Sequence, residues 1–102
     1  MKPRSTAASS ANRRRAIRCV VAGRVQGVYY RAAAAERAAA LELHGWIRNL
    51  PDGRVEAVAA GPIEALTEFA AWLWQGPPAA RVDSVEVEEW IEAVADGFSV
   101  QR

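Results

Sequence analysis

Cysteine, histidine and long apolar runs are what this 102-residue chain has least of. Cys19 is its one cysteine, which excludes an intrachain disulfide and any cluster of thiolates for zinc or an iron–sulfur centre. His44 is its one histidine; with no second imidazole or thiolate to join it, it reads as a surface residue at a helix end, and no metal is expected. No apolar run approaches the roughly 18 residues of a membrane-spanning helix, and no charged-then-apolar opening reads as a secretory signal. No membrane partner is expected, and the expected compartment is the cytoplasm. Acidic residues are missing from the first 18 positions, which carry Lys2, Arg4, Arg13, Arg14, Arg15 and Arg18.

From Cys19 onward seven basic residues face twelve acidic ones. The part that folds is therefore acidic, and the formal net charge of +1 comes from a basic arm. Nucleic-acid-binding faces are built from lysine and arginine clustered on the domain itself, so this balance argues against one. Residues 1–14 are rich in Ser, Ala, Arg and Pro and cannot repay the entropy of ordering. They read as a disordered basic tail, the alternative being a targeting or polyanion-touching arm. Residues 15–102 form one domain, with enough apolar residues for a two-layer core.

Along that domain the hydrophobic period changes several times. Ile17, Cys19 and Val21 alternate with Arg18, Val20 and Ala22, the period of a strand over Arg15–Ala22. Cys19 then shares the deeper face and reads as a small core residue rather than a nucleophile. Tyr30 to Leu43 is alanine-rich and predicts a helix, which His44-Gly45 ends. A strand over Gly45–Asn49, a turn at Leu50-Pro51-Asp52-Gly53 and a strand over Val55–Ala60 follow, Asp-Gly being a strong hairpin signal. Gly61-Pro62 opens a second helix whose buried stripe is Ile63, Leu66, Ala70 and Leu73, and Gly76-Pro77-Pro78 stops it. Trp72 and Trp74 cannot both join that stripe, so one of them covers the rim of the core. The glutamate-rich strand Arg81–Trp90 should lie at a sheet edge, and Phe98-Ser99-Val100 makes a last short strand. The order is that of a ferredoxin-like βαββαβ sandwich of the α+β class, an antiparallel sheet with two helices on one face.

Chemistry concentrates between Val21 and Arg31. An apolar strand leads into a turn with Gly23 and Gly27, and Arg31 stands where the first helix begins. Such a turn lets backbone N–H groups converge, the helix start adds unpaired donors, and an arginine offers a planar fork to two oxygens of a phosphate or carboxylate. The stretch lacks the Gly-Lys-Ser/Thr of a nucleotide P-loop and the third glycine of a dinucleotide turn. In the second hairpin Asn49 falls at the end of a strand, beside the turn.

Two segments together resemble the signature motifs of the acylphosphatases: Val21-x-Gly23-x-Val25-Gln26-Gly27-Val28-x-Tyr30-Arg31, and Gly45-Trp46-Ile47-Arg48-Asn49-x-x-x-Gly53-x-Val55 with Gly61 six residues on. Gly76-Pro77 and a last strand with Phe98 extend the likeness over about Arg15 to Arg102. Tyr30 stands where phenylalanine is usual, Ile47 where valine or alanine is, and Glu42 where glycine often precedes the leucine after the first helix. The resemblance implies a metal-independent hydrolase that cleaves the carboxyl-phosphate bond of small acyl phosphates, with no cofactor; the expected form is a monomer. It implies catalytic roles for Arg31, which binds phosphate, and Asn49, which positions the attacking water. It further implies that the loop Gly23, Arg24, Val25, Gln26, Gly27, Val28, Tyr29 and Tyr30 binds substrate. Arg24 and Arg48 read as solvent-facing, Gln26 as a residue that shapes the loop, and Tyr29 as a border for the acyl group.

Two rivals share the order of elements. An RNA-recognition sheet needs exposed aromatics on its two central strands, and Cys-Val-Val-Ala and Glu-Ala-Val-Ala-Ala offer none. A non-catalytic interaction module of the same fold is the alternative that fold alone does not exclude; an intact Arg31 and Asn49 speak against it.

Overall fold

The structure is a computed structural model and describes residues 14–102. The tail expected at residues 1–14 lies outside the described residues, apart from Arg14, whose backbone already belongs to the first strand. The elements run β1 (Arg14–Arg24), α1 (Tyr30–Ala40), β2 (His44–Asn49), β3 (Val55–Pro62), α2 (Ile63–Gln75), β4 (Arg81–Glu89) and β5 (Phe98–Val100). They build one sheet in the order β4-β1-β3-β2-β5. The four long strands pair antiparallel, and the glutamate-rich β4 lies at an edge, as expected. β5 adds a parallel partner to β2, which makes the sheet mixed. Among the described residues no helix is long and apolar enough to cross a membrane.

Strand alternation divides the sheet into two unlike faces. Ile17, Cys19 and Val21 of β1, Val55, Ala57 and Ala59 of β3 and Ile47 of β2 share one apolar cluster with Tyr30, Ala34 and Ala38 of α1 and Leu66, Phe69 and Leu73 of α2. Both helices therefore cover the same face. Ala34 and Ala38 are fully buried, and their small side chains let the backbone of α1 approach the sheet. Burial pushes the Cys19 thiol up to about 12, since no charge stands near enough to stabilise a thiolate. The opposite face carries a buried acid, Glu56, which accepts hydrogen bonds from Arg18 Nε and Arg48 Nε, while Arg18 also reaches Glu88. Trp46 and Trp90 meet edge to face on that side, ring centroids 6.2 Å apart.

Two sequence expectations need correction. The stripe on α2 is Leu66, Phe69 and Leu73; Ile63 is exposed and Ala70 half-buried. Phe69 holds the centre by packing edge-on against Phe98, centroids 5.7 Å apart, a contact that depends on β5 returning beside β2. One tryptophan was expected at the rim, and it is Trp72, against Tyr30, while Trp74 is exposed.

The second correction concerns the end of α1. The helix stops at Ala40, with Glu42 in the left-handed region at φ 59°. Glu42 N–H donates to Ala39 O (3.0 Å) and Leu43 N–H to Ala38 O (2.9 Å), the paired bonds of a Schellman stop. Gly45 ends nothing. It lies inside β2, where a Cβ would come 1.9 Å from Val58 O, so its glycine serves the close approach of β3. His44 opens β2 and its Nδ1 accepts the Gly97 N–H at 2.8 Å, tying the segment before β5 to the sheet.

Candidate active site

β1 ends in an irregularity that aims the chain toward the helix layer. Its register against β4 shifts between Ala22 and Gly23, and a Cβ on Gly23 would come 2.1 Å from Arg81 O. Only glycine allows β4 so near. The chain then turns through Val25–Tyr29, with Gly27 at φ 75° and Tyr29 at φ 67°. Tyr29 is an exposed non-glycine residue in the left-handed region, immediately before α1, and strain of this kind clusters at ligand sites. Its hydroxyl donates to Glu36 Oε2 one helical stretch on, at 2.7 Å. Tyr30 anchors the other side, its ring buried and its hydroxyl donating to Leu73 O at 2.6 Å. The start of α1 is thus pinned from below, and Arg31 follows directly.

Asn49 reaches the same place from the sheet. Ile47 faces the helices, so alternation puts Asn49 on that side and Arg48 on the other. In register Asn49 stands opposite Val55, and Val55 opposite Val21, which aligns the end of β2 with the stretch entering the glycine turn. Val25, Gly27, Tyr29, Tyr30, Arg31, Ala32, Asn49 and Val100 line one cavity of about 240 Å³. Arg31 is the single charged residue in that lining. Its Nη1 donates to Gln101 O at 2.6 Å, and among the described residues no carboxylate pairs with it. The Gln101 carbonyl is the one hydrogen-bond partner of the guanidinium among the described residues. Asn49 Oδ1 is buried and has no hydrogen-bond partner among the described residues; an orphaned buried acceptor of this sort costs about 1–3 kcal/mol, and is kept where a ligand or water satisfies it.

The residues expected to bind substrate divide into two groups. Val25, Gly27, Tyr29 and Tyr30 line the cavity with Arg31 and Asn49. Gly23 and Arg24 belong to the end of β1, Arg24 exposed, and Val28 packs against the core from the loop. Gln26 turns away to the second hairpin, where its side-chain amide donates to Leu50 O at 2.9 Å and Arg54 O at 3.0 Å. Sequence reasoning did not anticipate Ala32, Val100 or the Gln101 carbonyl at this site. A last strand was legible in Phe98-Ser99-Val100, but its parallel place beside β2 leaves no local signal, and a backbone carbonyl leaves none at all.

Comparison with known proteins bears directly on this arrangement. The model of the Acylphosphatase family matches residues 17–100, which spans both motifs, both helices and all of the cavity. This chain belongs to the acylphosphatase family. A curated acylphosphatase of Rubrobacter xylanophilus is 51% identical over 93 residues, covering 90% of this chain and 84% of that protein. Among solved structures, an acylphosphatase from Coxiella burnetii superposes with a TM-score of 0.83 at 39% identity, covering 86% of this chain and 93% of the other. One from Bacillus subtilis gives 0.81 at 36% identity, covering 85% and 98%. The acylphosphatase fold thus accounts for the whole described sandwich, including β5.

Proposed function

We propose that this chain is an acylphosphatase in activity, hydrolysing the carboxyl-phosphate bond of small acyl phosphates to a carboxylate and inorganic phosphate. The observation that carries the reading is the meeting of Arg31 and Asn49, one from each motif, in a cavity whose only charge is positive. The phosphoryl oxygens are received by the Arg31 guanidinium and by N–H groups of the Val25–Tyr30 turn, donors that are in place before charge develops. The Asn49 amide holds a water at the strand end, its orphaned Oδ1 accepting one of the water's protons in a hydrogen bond.

Bond cleavage needs little more. The leaving group is a carboxylate whose conjugate acid has a pKa of about 4, so it departs as an anion without a proton donor. Phosphoryl transfer then rests on positioning and charge stabilisation. The water oxygen forms its bond to phosphorus as the bond from phosphorus to the acyl oxygen breaks. The water's proton passes to a phosphoryl oxygen of the substrate itself, since asparagine cannot take it at neutral pH. Tyr29, Val25 and Val100 supply an apolar border on which the acyl part rests. The reading is of a monomer acting in the cytoplasm without a cofactor.

The test is release of phosphate from acetyl phosphate by wild type, Arg31→Ala and Asn49→Ala, each with and without a chelator. Wild type is expected to exceed the spontaneous rate and to ignore the chelator. Arg31→Ala should weaken inhibition by inorganic phosphate, while Asn49→Ala should retain that inhibition and lose rate. Absence of turnover in wild type overturns the enzymatic reading, and loss of activity with chelator overturns the metal-free one.

A further inference from the structure

Gln26 is the residue of the loop between β1 and α1 whose side chain hydrogen-bonds the second hairpin. Its Nε2 has two hydrogens, and each has a carbonyl: Leu50 O at 2.9 Å and Arg54 O at 3.0 Å. Those two carbonyls belong to the residues that close the β2–β3 turn, where Leu50 N–H donates to Arg54 O (2.8 Å) and Gly53 N–H to Leu50 O (3.1 Å). Asn49 is the residue before Leu50 and the last of β2. We propose that Gln26 is a positioning residue for the hydrolysis, a clamp that fixes the turn carrying Asn49 against the loop that holds phosphate; the inference rests on the acylphosphatase reading above.

The clamp answers a geometric need. The phosphate-holding groups lie on the loop leading into α1, and the water-holding group lies at the end of β2. β1 and β2 are not neighbours in the sheet, since β3 stands between them. Backbone pairing therefore aligns Asn49 with Val21 only through Val55, and beyond Val21 the chain leaves regular pairing with β3. Gln26 supplies a direct bond across that gap. In-line attack tolerates little error, and a displacement of about 1 Å can cost about 10²-fold in rate. Glutamate at this position has the same shape and the opposite chemistry, because a carboxylate has no hydrogens to donate and would face two carbonyl oxygens.

The experiment is a double-mutant cycle between Gln26→Ala and Asn49→Ala, with Gln26→Glu as the isosteric control, read in kcat, KM and the inhibition constant for inorganic phosphate, and with melting temperatures recorded. Gln26→Ala and Gln26→Glu should each lower kcat by about 10- to 100-fold while the phosphate inhibition constant moves by less than about 3-fold. In the Asn49→Ala background Gln26→Ala should cause no further loss. An equal fall in both backgrounds, or a wild-type kcat in Gln26→Glu, overturns the proposal, as does a loss confined to melting temperature. A second readout does not depend on turnover: the side-chain amide resonances of Asn49 with inorganic phosphate bound should shift and broaden in Gln26→Ala. Unchanged Asn49 resonances overturn the clamp even where wild type hydrolyses acyl phosphates. If wild type lacks that activity, the hydrolytic reading fails by itself and the resonances still report whether Gln26 holds Asn49.

Discussion

Arg48 and Asn49 are adjacent in sequence and stand on opposite faces of one sheet, with opposite fates. On the outer face Arg48 donates to Glu56 at 2.6 Å and lies over the Trp46 ring, 5.3 Å from its centroid; Arg18 donates to the same carboxylate from the neighbouring strand direction. The buried carboxylate and both arginines around it are thus matched. On the helix side Asn49 Oδ1 has none among the described residues, and Arg31 has a backbone carbonyl but no carboxylate. Arginine thus serves structure on the outer face, where a carboxylate matches its donors, and stands without one on the helix side. Satisfied polar groups stabilise a fold; the outer face has one exception, the buried Trp90 Nε1, which has no partner among the described residues.

The largest expected effect comes from exchanging the fates of these neighbours. Asn49→Ala should lower kcat by about 10²–10³-fold, the usual size for losing one aimed polar group in a transition state. It should leave the melting temperature equal or higher, because an unmatched buried acceptor is removed. Arg48→Ala should do the reverse, with kcat within about 2-fold of wild type and stability lower by about 1 kcal/mol, a modest figure because that side chain is nearly half exposed. Kinetics and thermal melts on the two variants decide the matter. A large rate loss in Arg48→Ala would place the outer face in the chemistry and break the contrast.

Glu56 gives the next effect, confined to stability. Burial pushes its carboxyl up, but the hydrogen bonds and charges of Arg18 and Arg48 outweigh that and hold it below the usual carboxylate range. A carboxyl lowered on folding contributes stability that is fully present above its unfolded pKa of about 4.3 and is lost as pH falls through the lower folded value. Glu56→Gln leaves two arginines facing a neutral amide. Fully buried pairs lose about 3–5 kcal/mol on such breakage; with both arginines partly exposed, about 2 kcal/mol is expected here, or roughly 10 °C in melting temperature. The gap to wild type should be widest near neutral pH and should close below about pH 4. Melts at pH 7 and pH 3 check the sign, and kcat should be unaffected.

Much of this was legible in the sequence because the signals were local. Alternation in Ile17-Arg18-Cys19-Val20-Val21 marked β1 and its deeper face, the glutamates marked β4 as an edge, and the two motifs brought Arg31 and Asn49 to attention before any fold was known. What escaped was set by tertiary contact. Phe69 entered the core because Phe98 returns beside β2, and Gln26 found carbonyls 24 and 28 residues away. The end of α1 escaped for a different reason. Gly45 was the expected stop because glycine is the common residue there, whereas the chain uses Glu42 and keeps Gly45 for a strand crossing.

That substitution of roles yields the smallest prediction and one with a definite sign. At φ 59° a side chain with a Cβ meets the following carbonyl, at a cost of about 1–2 kcal/mol that glycine does not incur. Replacing Glu42 by glycine relieves this cost, and the greater freedom of glycine in the unfolded chain offsets about 0.4–1 kcal/mol of the gain. Glu42→Gly should therefore be more stable than wild type by about 0.5–1 kcal/mol, or roughly 4 °C. Glu42→Ala keeps the Cβ and should stay near wild type, which separates conformational strain from loss of the carboxylate. Neither variant should change kcat, because Glu42 lies at the opposite end of α1 from Arg31 and the cavity. A stability gain in Glu42→Ala equal to that in Glu42→Gly would mean that charge, not backbone conformation, is what the wild-type residue contributes at this stop.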